Sequence, residues 1–588
     1  MYFADLHCHP SGKNFPKYRT KKPKSFQSTL AHLWDIPRSK VINLMRGLRG
    51  TSYSQADVGS LVKSQTKLAY ISIYPFEQGF IKDMGAWVEA PSVLVCASLR
   101  LPLPRIAHIR SDAYDYFQEL QSEWEFVQRK SGQVCTGNVT VHPKGGINVH
   151  RATTPVEGRY VILAPNPEAL AQSVPPWGKR TFIGPAAIDQ TLEDPNCTLC
   201  VLTIEGMHAL SVTNGDRYAP EVEESVLQQR IDLIKTWPVF FITFAHHFDN
   251  RLCAHARSFF KVPLPWNPDQ TRNMNFIPLN PEDNPWKNPS PEKYSLEERK
   301  RGFSPAGFRA IQHLLAVRVN EDSSVEDEPA LGRRIWIDTK HMSASSRLEF
   351  YDRIIRPYNR SGGRKEAANG MAPQGCIPVI ASHSAYSGRE TLLDHIQDYF
   401  LETDENAPGN PFNSWNINLC DEDLEIICQS GGLIGLNLDQ RILGVMYRLR
   451  LRHVLFPAAF MPKKERKMDS VELILDNLLG MAKGVKNRGI GLHEYRPDGF
   501  SFWNCICIGS DFDGGIDPIN DYATVLHFGK LRTDLGERMR QYIRNGVFQE
   551  FGITENNLEA VLDLFFFRNA LDFLKAHFPG PAIAPTPV

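Results

Sequence analysis

Eight short runs rich in Val, Ile, Leu and Phe end abruptly in polar residues, and this recurrence constrains the fold more than any other feature of the chain. In order they are YFADLHCH from Tyr2, LAYISIY from Leu68, LCVLTIEGMH from Leu199, VFFITFAHH from Val239, RIWIDTKH from Arg334, IPVIASHS from Ile377, GLIGLNL from Gly432 and CICIGSDFDG from Cys505. Their hydrophobicity is continuous rather than alternating, which suits strands covered on both faces, as in a parallel sheet. Helical segments such as GFRAIQHLLAV lie between several of them. Eight parallel strands with helical crossovers predict an α/β fold of the (β/α)8 TIM-barrel type, whose functional groups sit at the C-terminal ends of strands. The polar residues fall at those ends. The other arrangement open to such a pattern is a doubly wound open sheet.

A plain barrel takes about 250 residues. More than half of the 588 must therefore be inserted into, or appended to, one large barrel domain spanning 1–588. The spacing of the runs places large insertions at about 10–54, 84–197, 252–295 and 441–504. The stretch from Val262 to Pro291 is rich in Pro and Asn and reads as a long ordered loop. It follows the fourth strand, so it is expected to lie over the barrel mouth as a lid. The basic cluster Lys13, Lys17, Arg19, Lys21, Lys22 and Lys24 begins directly after the first strand. A run of this kind is usually a solvated loop, and at the barrel mouth it could also draw in an anion.

Composition mainly excludes. With 66 basic against 66 acidic side chains and a pI near 7.3, the chain is not built to bind polyanions through bulk charge, and no nucleic-acid partner is expected. No run of eighteen apolar residues occurs, so no membrane span is predicted. MYFADLHCHP lacks the regions of a signal peptide, and the expected location is cytoplasmic. Eleven cysteines, an odd number scattered along the chain, fit reduced thiols, and the lone C-x-x-C of Cys197 and Cys200 reads as core thiols. No P-loop, G-x-S-x-G elbow or H-E-x-x-H appears.

His7 and His9 flank Cys8 at the end of the first run, and residues i and i+2 of a strand point the same way, so both imidazoles can reach one metal. By itself an H-x-H is weak in a chain with 18 histidines. The signal lies in its repetition at other strand ends: Glu205 after VLTI, His246 and His247 after FITFA, His341 after WIDTK, His383 after PVIAS and Asp511 after CICIGS. Imidazole and carboxylate together are what borderline cations such as Zn2+ prefer. His247 is expected to be a neighbour rather than a participant, because adjacent strand residues point opposite ways.

IEGMHAL, FAHHFDN, GFSPAGFRAI leading to IDTKHMS, PVIASHSAYS and IGSDFDGG, in that order, resemble the membrane dipeptidase family of metallopeptidases (renal dipeptidase-like, family M19) within the amidohydrolase superfamily. The likeness covers little more than half of the chain. It implies a dipeptidase acting on dipeptides or similar small amides, with two zinc ions per chain: His7 and His9 on one, His341 and His383 on the other, Glu205 bridging both, and a shared hydroxide as nucleophile. It further implies that His246 binds the reacting carbonyl oxygen and that Asp511 handles the proton; a homodimer is possible for such an enzyme. Two positions depart from the family pattern. His9 stands where the family usually has Asp, which removes a negative charge, although H-x-H serves other binuclear amidohydrolases. Trp415 stands where an arginine normally meets the substrate carboxylate, leaving Arg389 as the nearest substitute. Two other readings are a phosphoesterase of the polymerase-and-histidinol-phosphatase type, whose opening DLHCH resembles, and a catalytically silent barrel that binds a partner.

Overall fold

The computed structural model of the protein describes residues 1–12, 15, 54–80, 103–140, 153–172, 180–211, 220–258, 274–279, 293–361, 375–398, 411–444, 470–490, 501–516, 518–519 and 521–578. Each of the eight apolar runs forms a strand: β1 (Phe3–Cys8), β2 (Thr66–Ile73), β3 (Cys197–Glu205), β4 (Val239–Thr243), β5 (Trp336–Asp338), β6 (Ile380–Ser384), β7 (Leu433–Leu436) and β8 (Ile506–Ile508). Every residue of these strands is buried, as expected when one face lines a barrel interior and the other meets helices. Neighbours in sequence are neighbours in the sheet, all parallel. The longest register runs from Leu68 opposite Leu199 to Ile73 opposite Ile204. The ring closes between β8 and β1, where Cys8 bridges Phe512, Asp511 N–H donates to the His7 carbonyl at 2.9 Å and His9 N–H to the Phe512 carbonyl at 2.8 Å. This is a (β/α)8 barrel, not an open sheet. Because all strands run the same way, their C-terminal ends share one rim.

Two glycines permit the barrel to close tightly on one side. A Cβ at Gly435 or at Gly509 would lie 1.9 Å from the Ser382 carbonyl oxygen, so only glycine fits these strands against β6.

The described part of the 84–197 segment contributes helices α1 (Leu103–Arg110) and α2 (Tyr116–Gln128), started by Asp115, whose side chain accepts the Gln118 N–H. It also adds strands beside the barrel: Thr153–Leu163 pairs in parallel with the first half of β3 and antiparallel with Cys135–Thr140. Between β4 and β5 runs helix α3 (Pro305–Leu315), with Ser304 as N-cap, Pro305 in the first turn and a left-handed Ala316 ending it. Helix α4 (Ser470–Asn487), inside the expected 441–504 insertion, lies in sequence where a crossover helix from β7 to β8 belongs. The basic cluster from Lys13 to Lys24 lies outside the described residues, as does the Val262–Pro291 stretch apart from 274–279. Cys197 and Cys200 are buried free thiols in the core. Among the described residues, no helix is long and apolar enough to cross a membrane.

Candidate metal centre

The rim collects one carboxylate and four imidazoles at the centre of the barrel mouth. Glu205, the last residue of β3, places Oε1 3.3 Å from His7 Nε2, 3.7 Å from His341 Nε2 and 3.6 Å from His383 Nε2, and Oε2 3.2 Å from His9 Nε2. All five side chains are buried. Within each pair the facing nitrogens are equally close: His7 and His9 Nε2 at 3.0 Å, His341 and His383 Nε2 at 3.2 Å.

The atoms behind the ring set how these imidazoles present themselves. His9 Nδ1 donates to the Ser72 carbonyl at 3.1 Å, so its Nε2 faces the centre. The Ser382 hydroxyl donates to Asp338 Oδ2 at 2.6 Å and therefore accepts from His383 Nδ1 at 2.8 Å, which leaves Nε2 with its lone pair turned inward. Asp338 also accepts from Thr243 Oγ1 and from the Ser382 N–H, tying β4, β5 and β6 together directly behind the site. On the opposite side Asp5 accepts the Ser510 N–H at 2.9 Å and joins β1 to β8; burial raises its pKa to about 6.

Ring nitrogens about 3 Å apart, beside a carboxylate oxygen with no hydrogen-bond partner among the described residues, are a costly buried arrangement unless a proton or cation lies between them. A tetrahedral cation with bonds of about 2.0–2.1 Å separates its ligand atoms by roughly 3.3 Å, close to the spacing found here. His7, His9 and Glu205 form one group that could hold an ion, and Glu205, His341 and His383 form a second. The donor chemistry fits a divalent cation.

Electrostatics divide the centre. Burial pushes the Glu205 pKa up, but His246, His7 and His9 outweigh it and hold the carboxylate well below its usual range. Burial would also lower His9, yet Glu205 and Asp511 raise it to about 9. His341 is driven down to about 3, chiefly by burial, and His383 well below the normal imidazole value for the same reason. Asp511, with Oδ1 3.7 Å from His9 Nε2, is raised to about 6 by burial and then by the negative charge of Glu205. Two residues of the rim, His341 (φ 65°) and Asp511 (φ 60°), adopt the left-handed region that non-glycine residues rarely occupy, a strain that recurs at functional sites.

His246 Nε2 lies 3.5 Å from Glu205 Oε2, next to the cluster. His247 does not turn away. Its ring centroid is 4.9 Å from that of His341, and His246, His247 and His341 form another group able to hold an ion. The strand alternation behind the opposite expectation does not apply, because β4 ends at Thr243 and both histidines follow it. The Arg389 guanidinium pairs with Asp398 at 2.6 Å. Trp415 is 1% exposed, packed with Ala256 and Ile417 and with the Arg257 guanidinium 4.3 Å over its ring.

Three further buried residues stand beside the site. Glu77, in the loop after β2, places Oε2 2.6 Å from His246 Nδ1. His208 follows Glu205 through a turn that needs Gly206 (φ 89°), where a Cβ would lie 2.3 Å from His208 Nδ1. Lys340 is buried beside His341 with no hydrogen-bond partner for Nζ among the described residues, and burial lowers its pKa to about 8 although Asp511 and Asp338 oppose this. The IEGMH and IDTKH motifs contained the last two, but only a three-dimensional neighbour gives either a role.

No family model and no curated protein sequence matches the chain. Among solved structures it is similar to a metallo peptidase from Rhodobacter sphaeroides liganded with a phosphinate mimic of the dipeptide L-Ala-D-Ala, at 12% identity over 98% of this chain and 99% of that one, with a TM-score of 0.43. The dipeptidase AC, a metallo peptidase of family M19, matches at 13% identity over 98% and 99% of the two chains, with a TM-score of 0.42. The probable dipeptidase PvdM from Pseudomonas aeruginosa matches at 13% identity over 90% of each chain, with a TM-score of 0.40.

Proposed function

We propose that the protein is a metal-dependent hydrolase of dipeptides or similar small amides, working with two zinc ions. The observation that carries this reading is the convergence of four imidazole nitrogens and one carboxylate, 3.0–3.7 Å apart, in a buried site at the barrel rim. His7, His9 and Glu205 would hold one cation, and Glu205, His341 and His383 the other, a borderline donor set suited to Zn2+. Bound there, the cations would lower the pKa of water and polarise a carbonyl.

The remaining steps belong to the chain itself. Asp511 Oδ1, beside His9, takes the proton of the attacking water and returns it to the leaving amine; a carboxyl raised to about 6 can do both near neutral pH. His246 Nε2, adjacent to Glu205, faces the position of the reacting carbonyl oxygen. The buried walls exclude bulk water and strengthen each of these interactions. Arg389 would have to exchange Asp398 for a substrate carboxylate in order to act as its clamp.

Metal analysis of the purified protein, followed by hydrolysis assays on L,L and L,D dipeptides with phosphoester controls, tests the reading. Two equivalents of zinc with dipeptide turnover are expected. Turnover of the phosphoesters alone would replace it with the phosphatase reading, and a metal-free, inert protein would replace it with a binding function.

A further inference from the structure

Behind the metal-facing cluster lies a second buried network, and its centre is a carboxylate that the proposed reaction does not use. Glu77 is 2% exposed. Its Oε2 sits 2.6 Å from His246 Nδ1 and accepts from the Tyr74 hydroxyl at 3.3 Å, while Oε1 accepts the Phe248 N–H at 3.2 Å. His208 closes the group: its Nε2 donates to the Pro75 carbonyl at 2.9 Å and its Nδ1 stands 3.8 Å from Glu77 Oε1. The Tyr74 ring packs at 4.8 Å from His246 and 5.6 Å from His208. An imidazole held at Nδ1 and packed edge-wise with an aromatic ring is fixed in orientation, here with Nε2 3.5 Å from Glu205 Oε2.

The loop carrying Glu77 is fixed by the segment inserted after it. Gln78 N–H donates to the Tyr116 hydroxyl at 2.9 Å, Gln78 Nε2 to the Ile109 carbonyl at 2.7 Å and the Tyr114 hydroxyl to the Phe76 carbonyl at 3.0 Å. From α2, Glu123 accepts the Tyr74 N–H at 2.8 Å and, through its other oxygen, the Ser11 hydroxyl at 2.6 Å. The insertion holds the loop, the loop holds Glu77, and Glu77 holds His246.

We propose that Glu77 is a positioning residue, which fixes the His246 imidazole against the reacting centre and is itself held by the α1–α2 insertion. This rests on the role given to His246 above. A carboxylate that orients an imidazole through its second nitrogen, as the partners of metal-bound histidines do, is worth roughly 10- to 100-fold in activity.

The test compares wild type, Glu77→Ala, Glu77→Gln, His246→Ala and the Glu77→Ala/His246→Ala double variant in three measurements: kcat, bound metal and the His246 ring orientation in crystals of the metal-free proteins. If Glu77 acts through His246, Glu77→Ala lowers kcat roughly 10- to 100-fold with metal content unchanged. In that single variant the ring turns away from Glu205, whereas in the His246→Ala background the same substitution lowers kcat no further. Glu77→Gln, whose amide oxygen still accepts from Nδ1, keeps the ring in place and most of kcat. Additive losses, or a ring that stays put in Glu77→Ala, overturn the proposal. Should Glu77→Ala fail to fold, Glu77→Gln decides: a loss of kcat with the ring still in place contradicts a positioning role. Should wild type turn over no dipeptide, the hydrolase reading fails while the ring orientation still answers for Glu77.

Discussion

The two halves of the centre share Glu205 but differ in protonation. The His7–His9 half lies beside two carboxylates, and His9 holds its proton to about pH 9 in their field. The His341–His383 half is kept neutral by burial, with the buried Lys340 alongside. The first half must release a proton to take up a cation, whereas the second presents lone pairs already free. Metal binding to the two halves should therefore differ in its dependence on pH while remaining tied together by one bridging carboxylate.

Removing that tie gives the largest effect. Glu205→Gln should lose both cations, since a neutral amide cannot bridge them, and metal analysis after gel filtration reads this directly. If one cation were retained, the halves would be independent. Asp511→Asn comes next: kcat should fall roughly 10²- to 10⁴-fold with both metals bound. Normal turnover in that variant would remove Asp511 from proton transfer.

The third prediction concerns His9 in metal-free protein. Its folded pKa, about 9, lies above the unfolded value of 6.5, so its contribution to stability is complete below pH 6.5 and is lost as pH rises through 9. That loss is on the order of 3 kcal/mol. Urea melts of metal-free wild type should weaken across this window, and His9→Gln should remove that part of the slope. Over the same window zinc should bind the His7–His9 half more tightly as pH rises, while His341 and His383, already neutral, show no corresponding gain.

The smallest effect belongs to Lys340. A buried ammonium with no hydrogen-bond partner among the described residues is a liability, and Lys340→Met in metal-free protein should raise Tm by roughly 2 °C. The folded pKa of about 8 lies below the unfolded 10.5, so the unfolded state binds the extra proton between these values and wild type recovers stability as pH rises. The advantage of the variant should shrink from pH 8 to 10.5. A constant difference would mean that Lys340 is neutral or paired throughout.

What could be read from sequence divides along the same physical line as the site. Strand-end residues were legible because a parallel barrel brings all C-terminal ends to one rim, so His7, His9, Glu205, His341 and His383 meet whatever the loops between them do. Glu77 was not, because it lies four residues beyond Ile73 in a loop whose path depends on Tyr114, Tyr116 and Glu123 in a distant insertion. The direction in which His247 points is illegible for a related reason: strand alternation holds only within β4, which ends at Thr243. The pairing of Thr153–Leu163 with β3 left no signal either, since a polar-flanked insert strand looks like any other short apolar run.

Anomalous scattering at the zinc edge, from crystals of metal-replete protein, locates the cations themselves. Two peaks are expected flanking the Glu205 carboxylate, one against His7 and His9 and one against His341 and His383. A single peak, none, or a peak only among Glu77, His208 and His246 would contradict the two-zinc reading.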